Sequence, residues 1–137
     1  MSFDSKPELA FYVWLKDNNI RFKYHPDRFF EYNVGGNVSR YYPDFILSCG
    51  LVIEIKGLHF FENYNKGGRM ILPYKYRNRL SRNQVEALNA KYEAKHRYMI
   101  HNNVIVLTND DYKQYVDYVK ATYGPGFINS CRMHKSS

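Results

Sequence analysis

Two extended runs separated by only three residues constrain this chain more than any other feature in it. Arg40–Leu47 and Leu51–Lys56 both read as strands. Ser48-Cys49-Gly50 between them is a tight turn that folds the pair antiparallel. Side chains alternate along a strand, so Ile53 and Ile55 point together into a core while Glu54 and Lys56 share the opposite face. Asp44, which follows Tyr42-Pro43 on the first strand, reaches the same edge where the register permits. Two carboxylates and an amine then converge.

The flanking chain supplies the rest of a sheet and its cover. Ser5-Lys6-Pro7-Glu8 has the spacing of a helix capping box, with proline in the first turn, and predicts a helix to about Asp17. That helix is apolar almost all round, from Leu9 to Leu15, and belongs in the core. Ile20–His25 and Phe29–Val34 are further strands, the latter separated from Arg40–Leu47 by the turn Gly35-Gly36-Asn37. The first half is expected to be a helix followed by an antiparallel meander. Leu58–Leu80 reads as a long irregular insertion. Ser81-Arg82-Asn83-Gln84 begins a second helix, with Val85, Leu88 and Tyr92 on one face and an end near His96. Val104–Leu107, wholly apolar, is expected as a central buried strand. Asn109-Asp110-Asp111 caps a last helix carrying Tyr112, Tyr115, Val116 and Val119, and Gly124-Pro125-Gly126 stops it. The order α-β-β-β-β-α-β-α predicts an α/β fold, a mixed central sheet with flanking helices. The expected domain spans 1–123, with the insertion at about 58–80 and a polar tail over 124–137.

Length and composition fit one soluble domain: 137 residues, 45% hydrophobic and 24% charged. No apolar stretch approaches the roughly 20 residues that span a bilayer. The first residues lack a basic region followed by an apolar run, which leads to a cytoplasmic expectation without a membrane partner. Cys49 and Cys131 suit a reducing compartment, and Cys131 with His134 makes too small a set for a zinc site. The formal net charge is +7, from 20 Lys and Arg against 13 Asp and Glu. No acid falls between Glu62 and Glu86, whereas Lys66, Arg69, Lys75, Arg77, Arg79 and Arg82 all do. Such a patch, with tyrosines interleaved around Lys75 and Arg77, is expected to contact DNA.

The convergent trio suits phosphodiester hydrolysis. Two carboxylates can hold Mg²⁺ through oxygen, with Mn²⁺ as a substitute, because the ion keeps waters and takes phosphate oxygens as further ligands. Lys56 could orient the attacking water, assist its deprotonation or stabilise the transition state. An isolated Glu-x-Lys is usually an ordinary surface pair. Here it occurs jointly with Pro-Asp, a short turn, an apolar strand and a terminal glycine. Asp27 after Pro26 reads as a turn aspartate. Glu31, His59 and Glu62 read as solvated side chains, and Gln84 as a cap.

Tyr42-Pro43-Asp44-Phe45-Ile46-Leu47 followed by Gly50-Leu51-Val52-Ile53-Glu54-Ile55-Lys56-Gly57-Leu58 resembles motifs II and III of the PD-(D/E)xK nucleases. It is most similar to the phage-type endonuclease I branch, the Holliday-junction resolvases, over roughly Ser5 to Leu58. The resemblance implies a restriction-endonuclease-like core and a metal-dependent DNA endonuclease that works as a homodimer when both strands are cut. It also implies Asp44 and Glu54 as metal ligands, Lys56 as the catalytic lysine and Glu8, from the first helix, as an auxiliary ligand. Unlike that branch, the chain carries the basic stretch Asn63–Leu80 after the second motif. Sequence-specific homing or restriction-like enzymes share the core, and a catalytically inert DNA-binding module would keep the same charge.

Overall fold

The computed structural model describes residues 5–62, 69–73 and 77–131. A four-stranded sheet forms its centre, made of β1 (Phe22–Tyr24), β4 (Phe45–Leu47), β5 (Val52–Ile55) and β8 (Ile105–Leu107) in the order β1-β4-β5-β8. β4 runs antiparallel to both β1 and β5, and β5 runs parallel to β8. The sheet is therefore mixed, and the fold is mixed α/β with flanking helices. Among the described residues, β2 (Phe30–Val34) and β3 (Asn37–Tyr41) pair only with each other. Val34 pairs with Asn37, leaving Gly35 and Gly36 as a two-residue loop with φ of 53° and 86°. Positive φ at both positions is what matches such a turn to the strand twist.

The expected meander is corrected by this hairpin. Arg40–Leu47 is not one strand: Tyr41 ends β3, and Phe45 begins β4. Pro43 between them has no N–H for a ladder, so the chain leaves one sheet and enters another there. β1 consequently pairs with β4 directly, with β2 and β3 as an excursion. β8 lies at the edge of the sheet rather than at its centre, and Ile105 is 37% exposed. Its apolar sequence reflects cover on both faces, since Val106 joins one apolar cluster and Leu107 another.

α1 (Lys6–Asp17) starts where the Ser5 side chain accepts a hydrogen bond from the Glu8 amide at 3.3 Å. Its Phe11 and Leu15 pack on Phe45, Ile53 and Ile55, the apolar face of the sheet. α2 (Arg82–His101) opens with the reciprocal Ser81–Gln84 box and runs a full turn beyond the expected end at His96. It closes at Asn102 and Asn103, the latter at φ 57°. Its Ala94 and Met99 pack with Tyr32 and Tyr41 of the hairpin and with Val106 on the second face of the sheet. α3 (Asn109–Tyr123) is capped by Thr108, which exchanges hydrogen bonds with Asp111, one residue earlier than the Asn109-Asp110-Asp111 reading places it. Gly124 ends it, as expected.

Two segments are more ordered than their composition suggests. In the expected irregular insertion, Leu58–Phe60 forms a 3-10 turn, and β6 (Phe61–Glu62) pairs with β7 (Arg69–Met70). Phe61, Met70, Ile71 and Leu72 are buried. Beyond Gly124, α4 (Phe127–Ser130) puts Ile128 against Leu9, Ala10 and Val119, so the core continues into the expected tail. No helix among the described residues is long and apolar enough to cross a membrane.

Candidate active site

Sheet register brings the acidic residues together. Phe45 pairs with Ile53, and one step further Asp44 stands opposite Glu54. Tyr24 pairs with Phe45, and one step further the His25 amide donates to the Asp44 carbonyl at 2.9 Å. His25 just after β1, Asp44 just before β4 and Glu54 in β5 thus form a row across the sheet. Phe45 and Ile53 face α1, so alternation sends Asp44 and Glu54 to the other side.

Each acid is held by identifiable partners. One Asp44 carboxylate oxygen accepts from the Ile55 amide at 2.8 Å. Glu54, 4% exposed, accepts from the Tyr41 hydroxyl at 2.8 Å and lies 3.9 Å from the Lys95 amine of α2. Glu8, in the first turn of α1 and 6% exposed, accepts from the Tyr24 hydroxyl at 2.5 Å. Its carboxylate is 3.4 Å from His25 Nε2. One ligand atom from each of Glu8, His25 and Asp44 falls within 4.8 Å of the others, a separation that one cation can bridge.

Of the four residues expected at the centre, Glu8 and Asp44 meet in this cluster, and Glu54 stands beside it, turned toward Tyr41 and Lys95. The Lys56 amine lies 4.2 Å from the centre of the Phe60 ring. Its backbone amide donates to Leu107, extending the β5–β8 pairing by one residue. Lys56 is close enough to act electrostatically on both Asp44 and Lys95.

Burial drives the Asp44 pKa well above its ordinary value, helped by the charges of Glu54 and Glu8 and opposed by the Ile55 hydrogen bond and by Lys56. Burial lowers the Lys95 pKa, against the attraction of Glu54. Tyr41 is pushed up by burial and by the adjoining Glu54 carboxylate, so it stays a hydroxyl and a donor. An excess of enclosed negative charge with open access is chemistry suited to a divalent cation. Access comes through an open cavity of about 560 Å³ lined by His25, Pro26, Asp27, Tyr42, Pro43 and Asp44.

Sequence reasoning passed over His25, Tyr24, Tyr41 and Lys95. Lys95 was within reach, because it lies three residues after Tyr92 and so shares the apolar side of α2. His25 has φ 47°, an unusual conformation for a non-glycine residue, and periodicity carries no sign of it. Of the expected DNA-binding residues, Lys66 and Lys75 lie outside the described residues, and Arg69 is placed by its backbone in β7. Arg77 donates to the Leu72 carbonyl at 3.1 Å. Arg79 is exposed, and Arg82 is exposed with a 3.3 Å contact to Glu86. Comparison with family models, with curated proteins and with solved structures gave no match for this chain.

Proposed function

We propose that the chain is a metal-dependent endodeoxyribonuclease with a PD-(D/E)xK, restriction-endonuclease-like core, hydrolysing phosphodiester bonds in branched or junction DNA. The observation that carries this reading is the placement of Asp44 opposite Glu54 on adjacent strands, with the Glu8 carboxylate brought to Asp44 from α1. The preference for branched DNA rests on the similarity of this strand pair to the endonuclease I branch. Glu8, His25 and Asp44 would hold Mg²⁺ or Mn²⁺, with Glu54 adjoining. The bound ion would acidify water and offset charge developing on the phosphate. Lys56, whose charge reaches Asp44, would supply a cation for a phosphate oxygen and the attacking water. Tyr24 and Tyr41 each fix a carboxylate by hydrogen bonding, which keeps both acids oriented before substrate arrives.

The test is incubation of purified protein with supercoiled plasmid and with a synthetic four-way junction, in Mg²⁺, Mn²⁺ and EDTA. Metal-dependent strand cleavage is expected, with the junction preferred, and Lys56→Ala should lower the rate by about 10²-fold or more. Lys56→Ala cutting as fast as the native chain would exclude this centre. DNA binding without cleavage in either metal would establish an inert binding module instead.

A further inference from the structure

The edge of the sheet at β1, beside the carboxylates, is basic. The cavity at Asp44 shares His25, Pro26 and Asp27 with a larger groove of about 680 Å³ that follows β1 and β4. Arg21, Lys23, Arg28 and Ile46 are among its lining residues. A further hollow of about 510 Å³ shares Arg21 and Phe22 with that groove and adds Lys16. The three share lining residues on either side of β1, an edge strand of the four-stranded sheet. Lys16, Arg21, Lys23 and Arg28 are all exposed. Besides Asp44, the only acid in the three linings is Asp27.

Strand alternation explains the concentration. Phe22 packs into the core with Phe45, and Tyr24 stacks at an angle on the same ring, so Arg21 and Lys23 turn to the other face. Lys23 pairs with Ile46 and Ile46 with Val52, which puts these cations on the face that carries Glu54. α2 and the β2–β3 hairpin pack over the β8 side of that face, at Val106. A lysine on an edge strand is commonly a guard against strand pairing. That role accounts for Lys23. Arg28 lies 4.9 Å from the centre of the Phe30 ring and Lys16 5.7 Å from that of Tyr12, contacts that leave both side chains exposed. Neither role covers Arg21, which precedes β1.

We propose that this groove holds the sugar–phosphate backbone of the DNA strand and leads it into the Asp44 site, with Arg21, Lys23 and Arg28 contacting successive phosphates and Lys16 at the far end. The inference rests on the nuclease reading for its direction toward the scissile bond. Its occupant is argued from charge: a run of cations ending at a phosphodiester-cleaving centre matches a polyanion of regular spacing. Arg21 and Lys23, two residues apart on one face, lie roughly 6.6 Å apart along the chain, similar to the step between phosphates of an extended strand.

The experiment measures binding of fluorescein-labelled duplex DNA by anisotropy in EDTA over a range of salt, alongside cleavage in Mn²⁺. Arg21→Gln, Lys23→Gln and Arg28→Gln combined should weaken binding roughly 10²-fold near 0.1 M salt. The dependence of log affinity on log salt should become shallower by about 2 to 3. Arg77→Gln with Arg79→Gln should change both less than the groove triple does. Equal affinity and slope in the triple variant and the native chain overturn the groove, even where cleavage dependent on Lys56 persists. Binding that depends on the groove, without cleavage in Mn²⁺, upholds the groove and removes the nuclease reading. Should the triple variant fail to fold, Lys23→Gln and Arg28→Gln taken singly decide the matter, each expected to lower the slope by about one.

Discussion

Asp44 has two carboxylate neighbours, and without a cation its own charge adds to theirs. Its folded-state pKa stands above the ordinary 3.8, first through burial and then through Glu54 and Glu8. The folded chain therefore keeps this proton where the unfolded chain has released it. Stability from Asp44 is full below the unfolded value and is lost as pH rises through the folded one. Asp44→Asn keeps a side-chain oxygen for the Ile55 amide and removes the charge. In metal-free buffer near neutral pH it should raise the melting temperature by several degrees, ~1 kcal/mol corresponding to roughly 4 °C in a chain of this size. If the cluster binds a cation as proposed, Mn²⁺ should raise the melting temperature of the native chain further, and the same substitution should abolish that rise. Thermal scans with and without Mn²⁺ check both, and an unchanged metal response in Asp44→Asn would remove this carboxylate from the site. His25 invites a second comparison, because an imidazole ligand favours Mn²⁺ over Mg²⁺. Asparagine tolerates the left-handed backbone better than most residues, so His25→Asn isolates the ring from the strain. Titration calorimetry should record about a tenfold larger loss of affinity for Mn²⁺ than for Mg²⁺. Equal losses would mean that the ring is no ligand.

Glu54 is supported from two elements, the hydroxyl of Tyr41 at the end of β3 and the amine of Lys95 on α2. Lys95→Met removes the cation while preserving the apolar stem and leaves a buried carboxylate with Tyr41 alone. The expected cost is about 1–3 kcal/mol in urea denaturation, toward the low end because the contact is 3.9 Å long. A neutral result would show that the tyrosine alone suffices. These supporting elements were also the least legible part of the sequence. α1, β5, α2 and α3 could be read from caps and periodicity because those signals are local: Ser5 and Ser81 bond to amides three residues away. The break at Pro43 is a local signal too, but it is hidden because Arg40–Leu47 reads as one extended run. The pairing of β1 with β4, and so the arrival of His25 beside Asp44, depends on contacts about twenty residues apart along the chain. Asp44, Glu54 and Lys56 stood out by chemistry and spacing. The residues that orient them come from other elements, and no spacing rule connects Tyr41 or Lys95 to Glu54. Burial in the segment after Gly57 was hidden for a similar reason, since Phe61 and Met70 become core only by pairing with each other.

Among the described residues of the whole molecule, one carboxylate–histidine cluster has metal-ligand spacing. Under the nuclease reading, one copy accordingly breaks one phosphodiester bond per encounter, and cutting both strands of a duplex takes a second copy on the opposite strand. Assembly of two copies follows mass action, whereas the chemistry at each centre does not depend on concentration. Supercoiled plasmid should thus pass through a nicked circle at low protein concentration, and the linear form should appear increasingly early as protein is raised over about a hundredfold range. Quenched time courses on agarose gels read the ratio of nicked to linear product directly. A salt titration at fixed protein separates this assembly from DNA capture, because capture by a chain of net charge +7 weakens steeply with ionic strength. Raised salt should slow the first nick. If the product ratio stays constant at every protein concentration, the copies are not assembling on the DNA, and the two-copy account of double-strand cleavage fails in this form.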